Sequence, residues 1–129
     1  GEGEISYAGA NALARARLAG DIVRERIGDG FVELRIDLVG STSAHGRSFD
    51  ADERPYEIRL RVAGRAVTRG AAARIGEEVE ALYLNGPAGG GGTRKYVSEQ
   101  VGVASTLVER GLVAAATEYL EWSDEPATA

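Results

Sequence analysis

The sequence predicts an α+β domain, a two-layer sandwich in which helices pack on one face of a mixed or antiparallel sheet. Three observations carry that expectation: a stretch of helical period over residues 12–27, two stretches of strict alternation over 31–39 and 56–62, and the order helix, strand, strand, helix, strand, strand along the chain.

In the first stretch Leu13, Ala16, Gly20, Val23 and Ile27 recur at three- and four-residue spacing, while Arg15, Asp21, Arg24 and Glu25 fall mainly on the other side. Asn11 is the expected cap of this helix, accepting from the first-turn N–H groups, and Gly28 its left-handed stop. Val32, Leu34, Ile36 and Leu38 alternate with Glu33, Arg35 and Asp37, which sends one set to a core and the other to water. The same period at Tyr56, Ile58, Leu60 and Val62, between Glu57, Arg59 and Arg61, makes the two strands sheet partners with charges able to pair across them. Residues 66–75 read as a short helix weakened by Gly70 and Gly76, residues 81–84 as a short strand, and the β-branched stretch 101–108 as another. For 112–122, alanine favours helix, while Thr117, Tyr119 and Trp122 suit an extended segment. Residues 1–122 are expected to form one domain, with 123–129 a frayed tail or linker.

The chain has 129 residues, and its 43% apolar and 27% charged content is that of a folded globular domain rather than a disordered one. A net charge of -5 argues against a nucleic-acid partner, since phosphate backbones need a clustered positive surface. No apolar run is long enough to cross a bilayer, and no secretory signal opens the chain, so no membrane partner and a cytoplasmic location are expected. The absence of cysteine and the single histidine exclude a disulfide framework and a multi-histidine zinc site. An oxygen-ligated divalent ion stays open at Asp50, Asp52 and Glu53, although that cluster lacks the glycine and distal glutamate of a calcium loop and reads as a solvated turn. Lys95 is the only lysine among 15 basic residues, and with abundant alanine and glycine this reads as the codon usage of a GC-rich bacterium. The absence of methionine points to a fragment of a larger protein.

Two constellations carry chemistry. The segment Asn85, Gly86, Pro87, Ala88, Gly89, Gly90, Gly91, Gly92, Thr93, Arg94, Lys95 reads as a loop whose backbone N–H groups converge on a phosphate or carboxylate, with Arg94 and Lys95 adding charge. It lacks the Gly-Lys-Ser/Thr ending of a nucleotide-phosphate loop, and a flexible glycine linker is the competing reading. The connection over 40–55 holds His45, the one side chain near neutrality and the natural general acid or base; a surface histidine beside Gly46 is the plainer reading.

Four stretches resemble the acyclic terpene utilisation family called AtuA: Ser6-Tyr7-Ala8-Gly9 running into Ala12-Leu13-Ala14-Arg15-Ala16-Arg17; Leu34 to Gly40 with Ala44-His45-Gly46; Pro55 to Arg61; and Glu80-Ala81-Leu82-Tyr83-Leu84-Asn85-Gly86-Pro87 with the glycines after it. The resemblance spans residues 5–113 and implies a role in catabolism of citronellol- and geraniol-type acids as coenzyme A thioesters, with a lyase step proposed for the family. It supplies no catalytic residue and no certain cofactor; a coenzyme A thioester enters only as substrate. Two functions follow. One is an enzyme fragment in which the glycine segment and Arg94 hold an acyl-coenzyme A while His45 moves a proton. The other is a non-catalytic module that binds a small anion or mediates assembly, with the remainder of the parent chain or further copies of itself as partners.

Overall fold

A computed structural model describes residues 1–46 and 54–120 of the chain. Its elements run β1 (Glu2–Ala8), α1 (Ala12–Ile27), β2 (Glu33–Val39), β3 (Glu57–Arg65), α2 (Arg69–Asn85) and β4 (Gly90–Tyr96), with a single 3-10 turn at Arg110–Leu112. The four strands form one antiparallel sheet in the order β2-β3-β1-β4, with both helices against one face. This is the split βαβ, ferredoxin-like order, an α+β sandwich as the patterning predicts.

Burial follows from period. On β1, Ile5 and Tyr7 are fully buried, and on β3 Ile58, Leu60 and Val62 are; they meet Ala16, Ala19 and Val23 of α1 and Ile75, Val79 and Leu82 of α2. Each large aliphatic side chain contributes on the order of 1.5–3 kcal/mol by leaving water. The uncovered sheet face is charged instead. Arg61 pairs with Glu2 and with Asp37, its cross-strand partner, and Arg59 lies 3.6 Å from Glu4. These pairs are half-buried on a face that no helix covers, where ion pairs contribute little, about 0–1 kcal/mol each when solvent reaches them, so the helix-covered face holds the fold.

β2 and β3 pair as expected, with Ile36 opposite Val62 and Leu38 opposite Leu60. β2 is an edge strand, so Leu34, Ile36 and Leu38 are only partly buried, and Val32 lies outside the strand and is 58% exposed. Several expectations are corrected. β1 is a central strand that the sequence reading did not assign. The second helix is longer than 66–75: it starts at Arg69, capped by the Thr68 hydroxyl accepting from Ala71 N, and runs through 81–84, which is helix and not strand. Gly76 does not break it, because it marks the close approach of α2 to β4, where a Cβ would sit 2.6 Å from Cβ of Lys95. The stretch 101–108 forms no strand and is exposed; strand preference reflects packing on a sheet, and no neighbour supplies that surface here. Residues 113–120 are neither helix nor strand, and Trp122 and the tail 123–129 lie outside the described residues. No helix among the described residues is long and apolar enough to cross a membrane.

Candidate functional site

The topology gathers three connections at one end of the sheet. β1 ends at Ala8 opposite Glu57, where β3 begins; Tyr7 is opposite Gly90, where β4 begins; and Val39, the last residue of β2, is opposite Arg59. The β1–α1 turn, the β2–β3 connection and the α2–β4 turn therefore share that end. His45 is exposed in the β2–β3 connection, beyond the edge strand β2, whereas the glycine segment leads into β4 at the opposite edge. The fold thus brings the two constellations to one end of the sheet with β3 and β1 between their strands. Asp50, Asp52 and Glu53 fall outside the described residues, and among those described no cluster of His, Cys, Asp or Glu suits a metal ion.

The glycine segment is not one loop. Asn85 is the last residue of α2, Gly86 donates its N–H to Leu82 O at 2.9 Å, and the backbone from Gly90 to Tyr96 is β4, paired to β1 with a register shift between Glu4 and Ser6. Gly90 is packed: a Cβ there would lie 2.8 Å from Cδ1 of Ile5 and 3.1 Å from Cε1 of Tyr7. Gly91 faces open space, and Thr93 and Arg94 continue the strand. Lys95 is engaged by Glu80 on α2, whose hydrogen bond and charge hold its ammonium above the usual lysine range.

Arg15 ties the turns together. Its Nη1 donates to Ala88 O at 2.6 Å, and its Nη2 donates to Ala8 O and Ala10 O at 2.6 and 2.8 Å. Gly89 makes room with a positive φ of 77°, and a Cβ there would lie 2.5 Å from Arg15 Nη1. On the other side, Gly9 N donates to Tyr56 O at 2.7 Å, so the β1–α1 turn is joined to both neighbouring connections. Burial pushes the Tyr7 phenol beneath this turn above its usual range, while the Arg15 guanidinium pulls the other way.

The start of α1 differs from the expected cap. Asn11 adopts the left-handed conformation, φ 58° and ψ 28°, and makes no side-chain cap hydrogen bond. Asparagine tolerates that conformation, but a capping side chain needs the extended backbone that Thr68 has at α2. Ala12 N–H is taken by Gly9 O at 3.2 Å, and the turn, without a side-chain cap, opens on a cleft of about 700 Å³ lined by Asn11, Leu13, Ala14, Arg17, Arg54 and Tyr56. The first turn carries no acidic residue, so the positive end of the helix and the two arginines add with the same sign. Gly28, at the other end, has a positive φ of 65° and closes the helix with its N–H on Arg24 O. A larger concavity of about 900 Å³ lies at the opposite end of the sheet, between Thr68, Arg69 and the segment Val97 to Val101. There the helix end is already capped, and none of the candidate residues lines it.

The patterning therefore missed Arg15, Arg17 and Arg54. A readable signal existed for the first two: arginines near the start of a helix oppose its dipole and call for an acceptor.

A family model described as acyclic terpene utilisation family protein AtuA matches residues 1–119. No curated protein and no solved structure matches the chain.

Proposed function

The chain belongs to the acyclic terpene utilisation family AtuA, and from that membership and the cleft at the start of α1 we propose that this domain binds the phosphate-bearing end of an acyl-coenzyme A thioester. The carrying observation is the first turn of α1, which has no side-chain cap, with Arg17 and Arg54 in the wall of the same cleft. A phosphate accepts from free backbone N–H groups at a helix start and from guanidinium groups, and its charge answers the helix dipole. The domain is then a binding module of acyclic-terpene catabolism in the bacterial cytoplasm, with the glycine segment serving mainly to bring β4 against Tyr7 and to seat Arg15.

Calorimetric titration of a citronellol-type acyl-coenzyme A tests this reading. Removing two charge-assisted contacts in the double variant Arg17→Ala, Arg54→Ala should weaken binding at least about tenfold, roughly 1.4 kcal/mol, with inorganic phosphate competing in the wild type. Equal affinity in both proteins would defeat the proposal. Incubation followed by mass spectrometry separates the lyase reading: a binding module leaves the thioester intact, whereas thioester loss abolished by His45→Ala would make the domain catalytic.

A further inference from the structure

Beneath the turn that Arg15 clamps, two buried side-chain atoms have no hydrogen-bond partner: the hydroxyl of Tyr7, on a residue 0% exposed, and Nε of Arg15. Neither is disposable slack. The Arg15 guanidinium is fixed through its other nitrogens by the carbonyls of Ala88, Ala8 and Ala10, so Nε cannot turn to solvent without giving those up. The Tyr7 ring is fixed against Gly90, one residue beyond Gly89, which itself abuts the guanidinium. The two unmet groups thus flank a single Gly89–Gly90 step.

A buried donor without an acceptor forfeits the full desolvation of the group, and native structures resolve nearly all such cases with a protein, water or ligand partner. The chemistry of these two atoms restricts what the partner is. Arginine Nε–H can only donate, and the phenol can donate or accept, so an oxygen with two lone pairs satisfies both, whereas an apolar group satisfies neither and a cation leaves the arginine donor unmet.

We propose that the Tyr7 hydroxyl and Arg15 Nε–H form a two-point site for one oxygen acceptor under the turn over residues 86–89, filled by a water molecule or by the carbonyl oxygen of a bound acyl thioester. The site itself stands apart from the coenzyme A reading; only the thioester source rests on it. Tyr7 and Arg15 are positioning residues, which join the turn over residues 86–89 to the central strand.

Crystal structures of the free protein and of the protein soaked with an acyl-coenzyme A decide it. The expected result in the free protein is an ordered oxygen at hydrogen-bond distance, about 2.7–3.2 Å, from both atoms. Its retention as water in the soaked crystal assigns it to solvent, and its replacement by the thioester carbonyl assigns it to the ligand. The Tyr7→Phe variant, which keeps the ring against Gly90, should lose that oxygen. No oxygen in either crystal, direct bonding of the two groups to other protein atoms, or an oxygen that persists in Tyr7→Phe would overturn the proposal. The wild-type crystals alone are decisive if the variant does not fold.

Discussion

Gly90 packs against the ring of Tyr7, so that a Cβ at position 90 would stand 3.1 Å from Cε1 and 3.3 Å from Cζ of the tyrosine. The contact accounts for one of the four consecutive glycines by packing alone, and it separates neighbours that look alike in the sequence. Gly90→Ala should destabilise the protein by about 1–3 kcal/mol through overpacking against Ile5 and Tyr7. Gly91→Ala, where the added Cβ would enter open space, should change stability by less than about 0.5 kcal/mol. Urea unfolding of the two variants measures both, and equal losses would mean that Gly90 is not packed in this way.

Arg15 should matter more than an ordinary surface arginine. Arg15→Ala removes hydrogen bonds to the carbonyls of Ala8, Ala10 and Ala88 and is expected to cost about 1–3 kcal/mol. Arg15→Lys should restore little, because an ammonium lacks the planar fork that spans several carbonyls. Amide exchange reports the local effect: protection over residues 86–90 should fall in both variants more than protection in α1.

Tyr7 should titrate late. Its pKa is raised in the fold by burial, so the stability it contributes is complete below the unfolded value of about 10 and is lost as pH rises through the higher folded value. Absorbance of ionised tyrosine should therefore show a component above the usual range that Tyr7→Phe removes, and the variant should lose less stability between neutral and strongly alkaline pH. If Tyr7→Phe instead removes a component within the usual tyrosine range, the phenol is in water.

Core truncations should follow strand position. Leu60 is fully buried in β3, and Leu60→Ala is expected to cost about 2–5 kcal/mol. Ile36, half-buried on the edge strand β2, should cost less than Leu60 when cut to alanine. Denaturant midpoints at unchanged slope check the order.

How far these features were legible depends on the kind of signal each residue carries. The helix Ala12–Ile27 and the pairing of β2 with β3 follow from period, because one buried face per element leaves a repeating trace. β1 carries the same alternation, Ile5 and Tyr7 against Glu4 and Ser6, but the run is too short for period alone to assign it. The run 81–84 shows why short apolar stretches mislead: Leu82 belongs to the buried stripe of α2 with Ile75 and Val79, a relation visible only if the helix is carried through Gly76. The glycines point to close approach, and at positions 89 and 90 the groups that approach within the fold are Arg15 and Tyr7. The cleft of Arg17 and Arg54 joins residues far apart in the chain, and only the sheet order brings them together.

An acyl-coenzyme A ligand is expected at the end of the sheet where α1 begins. Amide chemical-shift mapping during titration with an acyl-coenzyme A tests it most directly. Residues 9–14, 54 and 56 should shift first and saturate together, while residues 66–72 and 97–101 at the opposite end stay still. Shifts confined to that opposite cleft, or none at all at saturating ligand, would contradict it.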